Sequence, residues 1–81
     1  VTVIYKFELR TVTTLQLPRS AVVRAVAWQG MGIHMWIELD PDKEPVHRKF
    51  VVAATGEPTP TGGAYVGSAI SNLLVFHVYE V

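Results

Sequence analysis

Apolar and polar positions alternate with a period of two along most of this chain, the pattern of strands laid on a core. From Val1 to Leu9, the residues Val1, Val3, Tyr5, Phe7 and Leu9 fall on one face; Thr2, Ile4, Lys6 and Glu8 fall on the other. Ile33 to Leu39 repeats this, with Ile33, Met35, Ile37 and Leu39 set against His34, Trp36 and Glu38. In Val46 to Ala54, the residues Val46, Arg48, Phe50 and Val52 oppose His47, Lys49, Val51 and Ala53. Two segments go further. Ala21 to Trp28 and Leu73 to Tyr79 are apolar at nearly every position, and a strand apolar on both faces must be covered on both.

The breaks between these segments are marked by glycine and proline. Arg10 to Leu17 is threonine-rich and extended, a second strand or the long arm of a bend. Pro18 stops it, since proline cannot donate to a sheet ladder. Helix competes with strand only over Ser20 to Gln29, where Ala21, Ala25 and Ala27 favour it. The β-branched Val22, Val23 and Val26 oppose helix, and Gly30-Met31-Gly32 reads as a short hairpin turn that needs a strand on each side. Asp40 to Pro45 is a charged loop with two prolines, and Thr55 to Gly63 is an irregular loop of glycine, proline and threonine. Ala64 to Ser71 reads as a short strand broken at Gly67, with Asn72 turning the chain into a last strand, Leu73 to Val81. The expectation is one all-β domain over residues 1–81, a small antiparallel sandwich or open barrel of six to seven strands.

Size and charge narrow the function. A domain of 81 residues buries only roughly 60–65% of its unfolded surface. There is no cysteine to staple it. Self-association is the remaining common remedy for a small core, so a homo-oligomer is expected, two-fold symmetry being commonest. Seven basic and seven acidic residues cancel, and the basic ones are scattered, which argues against holding duplex nucleic acid. No apolar run reaches the length of a membrane span, and Val1 to Lys6 lacks the charged leader and apolar core of a signal peptide. The default location is cytoplasmic.

Candidate chemistry is sparse. No nucleophile elbow, zinc-protease helix or phosphate-binding P-loop motif is present. His34, His47 and His77 have no metal-ligand spacing, so no metal site and no cofactor is expected. His77, in an apolar strand, is most simply a core or interface histidine hydrogen-bonded to backbone, and His47 faces solvent. The Thr55–Gly63 loop is long for a hairpin connection, and long loops on rigid scaffolds often carry function. Thr55 and Gly56 could offer a hydroxyl and open amides to an anion; the signal is not specific, and a plain surface connection is the simpler reading of the loop. Trp36 and Tyr65 could stack on a base, with Arg48 or Lys49 supplying charge. Trp28 and Tyr79 read as core or interface. Arg48 and Thr55 are seven positions apart and meet only if the loop folds back or a second subunit supplies one of them.

Several motifs together resemble a family of short phage-encoded proteins of unknown function. They are Ile4-Tyr5-Lys6-Phe7-Glu8-Leu9, Leu17-Pro18, Trp36 with Leu39-Asp40-Pro41-Asp42, Arg48-Lys49-Phe50, Thr55-Gly56-Glu57-Pro58, Tyr65-Val66-Gly67-Ser68 and Leu74-Val75-Phe76-His77-Val78-Tyr79-Glu80. Glu57 stands where that family often has histidine. The resemblance implies a phage origin and an infected bacterial cell as the setting; it implies no activity. By analogy with small phage proteins that sequester immune signals, a non-enzymatic anti-defence sponge for a nucleotide second messenger is the leading expectation. A protein-binding inhibitor or host-takeover module acting on a bacterial protein is the alternative, and a minor virion or assembly component the second.

Overall fold

The computed structural model describes residues 1–81 as a two-layer sandwich of seven antiparallel-paired strands with no helix. They are β1 (Val3–Leu9), β2 (Val12–Pro18), β3 (Val22–Gln29), β4 (Gly32–Leu39), β5 (Pro45–Ala54), β6 (Ala64–Ile70) and β7 (Val75–Glu80). One sheet has the order β1-β4-β3, the other β2-β5-β7-β6, and neither closes into a barrel. No helix exists to cross a membrane.

The two-residue alternation of β4 is followed without exception. Ile33, Met35, Ile37 and Leu39 are buried between the sheets, while His34, Trp36 and Glu38 lie on the outer face. The second sheet answers with Leu17, Phe50, Ala69 and Val78, and Met35, Ile37, Phe50 and Val78 are completely inaccessible. Gln29 pairs with Gly32 across the two-residue turn Gly30-Met31, where only Gly30 has positive φ, at 61°. That is the glycine-first geometry whose twist suits a tight hairpin.

Three segments depart from the sequence pattern. A register shift between Val23 and Ala25 in β3 leaves Ala25 and Ala27 opposite Trp36 and His34 on the outer face, so only small side chains need cover there. The β6 strand runs through Gly67 instead of breaking, because a second shift between Tyr65 and Gly67 absorbs the irregularity. Leu73 and Leu74 belong to no strand. They form the β6–β7 turn and are 92% and 54% exposed.

The β5–β6 connection is the unusual one. Both strands are antiparallel to β7, which lies between them, so β5 and β6 run parallel and residues 55–63 must cross β7. The core occupies the inner side, and the loop crosses on the outer one. There Gly63 closes on the Cβ of Tyr79, and outward-facing Ala53 is only 4% exposed. The long loop is therefore a required crossover connection.

Candidate functional site

The four-stranded sheet carries a line of side-chain hydrogen bonds on its outer face. Register pairs Ser68 on β6 with His77 on β7 and His77 with Ala53 on β5, two residues before Thr55. Tyr65 lies 2.6 Å from Ser68 Oγ through its hydroxyl, Ser68 Oγ lies 2.8 Å from His77 Nδ1, and His77 Nε2 lies 2.9 Å from Thr55 Oγ1. Thr55 Oγ1 also donates to the carbonyl of Val75 at 3.2 Å. Sheet pairing brings these four residues, drawn from two strands and the crossover loop, into one row.

Their hydrogens can be assigned from valence. With the single Thr55 hydroxyl hydrogen assigned to Val75 O, Thr55 accepts from His77 and the proton sits on Nε2. In the neutral ring Nδ1 is then the acceptor, Ser68 donates to it, and Tyr65 donates to Ser68. All donors run one way, and Tyr65, 60% exposed, is the open end. The expected result is an Nε2–H tautomer for His77, read from ¹⁵N shifts of the ring; an Nδ1–H tautomer would contradict the assignment. Ser68→Ala removes two hydrogen bonds, the one to His77 partly buried and the one to Tyr65 exposed, and should cost about 1–2 kcal/mol in urea unfolding.

No carboxylate is hydrogen-bonded to His77, whose two ring nitrogens are both occupied by hydroxyls. No group of three His, Cys, Asp or Glu side chains is placed to hold a metal ion. His77 bonds side chains where backbone partners were expected. Ser68 was not singled out in the sequence. Its only signal is its place in the strand three residues after Tyr65, which has no meaning until the β6 irregularity is known.

The remaining predicted site residues are separated. Arg48 points inward at the far end of the sandwich. Its Nε and one terminal nitrogen donate to both carboxylate oxygens of Glu80 at 2.7 and 2.9 Å, and the other terminal nitrogen donates to Pro18 O and Ala21 O at 3.1 and 2.8 Å. The hydrogen bonds from Arg48 hold the Glu80 carboxyl below its ordinary range, against the opposing effect of partial burial. Arg48 is thus a clamp. It and Thr55 are on opposite faces, as an odd spacing along a strand requires.

Trp36 lies on the other sheet, beside His34 at 6.3 Å between ring centroids. Lys6, opposite Trp36 in register, crosses β4 to donate to Gln29 at 2.9 Å. Arg24 and Thr2 both donate to Glu38 there, and these bonds, Arg24's first, lower the Glu38 carboxyl. Lys49 shares the outer face with His77 but stands on the opposite side of the crossover loop from Tyr65. Gly56, with φ of 94° and open space around it, makes the turn expected of it. The adjacent Glu57 carboxylate accepts from Ala54 N at 2.7 Å, placing negative charge where an anion was expected. Thr55 and Tyr65 are the two predicted residues that the fold joins, through His77 and Ser68. Trp28 stacks on Phe76 at 5.7 Å, and Tyr79 meets Tyr65 edge-on at 5.6 Å.

No curated protein and no solved structure matches this chain. The model of a domain of unknown function (DUF7352) matches residues 1–81, the full length described above, and the chain belongs to that family.

Proposed function

We propose that this protein is a non-enzymatic binding protein that captures a nucleotide-derived signal on the outer face of the four-stranded sheet. The observation that carries the reading is the one-way line Tyr65–Ser68–His77–Thr55 beside the exposed Tyr65 ring. An exposed aromatic face accepts a base whatever its identity, and a pre-ordered hydroxyl row can read its edge. The crossover loop forms a wall beside that floor. Lys49 shares this face but is parted from Tyr65 by the loop, so a second subunit is the source of positive charge for a phosphate held beside Tyr65. The resemblance to short phage-encoded proteins supplies the setting, an anti-defence sponge in an infected bacterial cell.

Calorimetry against cyclic dinucleotides, cyclic mononucleotides, ADP-ribose derivatives and the corresponding nucleosides tests the reading. Binding of at least one phosphorylated ligand is expected. Tyr65→Ala should weaken it about tenfold or more, the size of one lost base–aromatic stack. Absence of binding across the panel removes the function. Binding that survives Tyr65→Ala and His77→Gln removes the site and leaves the function standing.

A further inference from the structure

The β6–β7 turn and the rings behind it form an uncharged apolar end to the sandwich. Leu73 is 92% exposed, Ile70 73%, Leu74 54% and Trp28 37%. These residues, with Phe76, line a groove of about 430 Å³ completed by Ser71 and Asn72. The turn that carries the leucines is tied down. Ser71 N donates to Leu74 O at 2.9 Å, and Ser71 Oγ accepts from Leu74 N and donates to Leu74 O, each at 3.1 Å. The floor is equally fixed by the Trp28–Phe76 stack. The leucines are therefore held out in water by a turn whose backbone is ordered before binding, which leaves only side-chain ordering to be met on association.

We infer that this end is the interface through which two copies of the chain associate about a two-fold axis, Leu73 of each copy seating in the groove of the other. Three observations select a second copy as the occupant. The groove has no ionisable side chain, so two copies approach without like-charge repulsion, and a charged partner has nothing to pair with. A projecting apolar knob lies directly beside a hollow lined by apolar side chains, the self-complementary arrangement an isologous contact needs. The size also fits an interaction surface: Leu73, Ile70, Leu74 and Trp28 are exposed side by side, and contiguous apolar patches of that extent on a monomer mark a contact site.

The fold has a reason to use it. Only 12 of 81 residues are buried in the isolated chain, so covering Trp28 and Phe76 extends a thin core. The inference is independent of the ligand reading above, because it uses none of Thr55, Ser68 or Tyr65.

Sedimentation of the wild-type protein and of Leu73→Asp, from micromolar to millimolar, tests it. The wild type should be a dimer. Leu73→Asp should fold normally, since the side chain is exposed, and weaken association about a hundredfold or more by placing a carboxylate in an apolar seat. The chain has no native cysteine, so single cysteines report the geometry directly. Asn72→Cys should cross-link under mild oxidation faster than Glu44→Cys on the loop at the opposite end. A wild-type monomer at millimolar concentration, a dimer indifferent to Leu73→Asp, or equal cross-linking at both positions would overturn the interface.

Discussion

Replacing Arg48 by alanine is expected to cost about 2 kcal/mol of folding stability, between the values for an exposed and for a fully buried pair. The guanidinium is only 16% exposed and Glu80 28%, so truncation leaves a half-buried carboxylate without its counter-ion. It also removes both side-chain donors from Pro18 O and Ala21 O. Those carbonyls flank the turn where the chain passes from β2 in one sheet to β3 in the other, so one side chain joins β5, the end of β7 and the crossing. Arg48→Lys should recover only part of the loss, because an ammonium cannot serve a bidentate carboxylate and two carbonyls in one plane. Urea unfolding checks this. A change below about 0.5 kcal/mol, the size of an ordinary surface substitution, would mean that Arg48 is free for a ligand.

The same pair sets an acid dependence. Glu80 is held below its ordinary value by hydrogen bonds from Arg48, so the unfolded chain takes up its proton first as pH falls. The pair's contribution is complete above the unfolded carboxylate range and is lost as pH falls through the depressed folded value. In Arg48→Ala that depression is gone. The stability gap between the two proteins should therefore narrow on acidification, without closing, since the carbonyl hydrogen bonds do not titrate. A gap constant from neutral pH to well below the carboxylate range would show that the ion pair contributes nothing.

Gly67→Val should destabilise the fold by about 3 kcal/mol, the upper part of the range for overpacking. A Cβ at this position would stand 2.9 Å from Cγ2 and 3.3 Å from Cβ of Val26. Val26 belongs to β3, so Gly67 marks where the two sheets press together along one side. The valine cannot swing away, because a β-branched side chain has few rotamers and this one packs against the core. In a Val26→Ala background the cost of Gly67→Val should fall by about 1 kcal/mol or more, the coupling expected of residues in contact. Additive effects would place the strain elsewhere.

How much could be read beforehand follows from the range of each interaction. Strand identity is local. The alternation of β4 and β5, the glycine turn at Gly30 and the stop at Pro18 each depend on neighbours a few residues away, and all three were legible from the residues alone. The register of β6 was less so. The pattern marked Gly67 as a break, but the cause is Val26 on another sheet, and an irregularity between Tyr65 and Gly67 decides which way Ser68 faces. Leu73 and Leu74 read as strand because they are apolar; the hydrogen bonds from Ser71 make them a turn instead.

The candidate site shows the same division. Alternation along β5 already set Arg48 against Lys49, and the residues left Arg48 and Thr55 able to meet only through a folded-back loop or a second subunit; the structure turns Arg48 inward to Glu80 and Thr55 outward to His77. Composition, hydrophobic period and turn chemistry determined an all-β domain with a small core. Which faces meet, that Arg48 is a clamp, that His77 links Ser68 to Thr55, and that the 55–63 loop crosses β7 were decided only by the tertiary structure. The reason is that each depends on strand order. The side-chain contacts of Arg48 and His77 join residues 9 to 32 positions apart, and no local preference specifies which strand lies beside which.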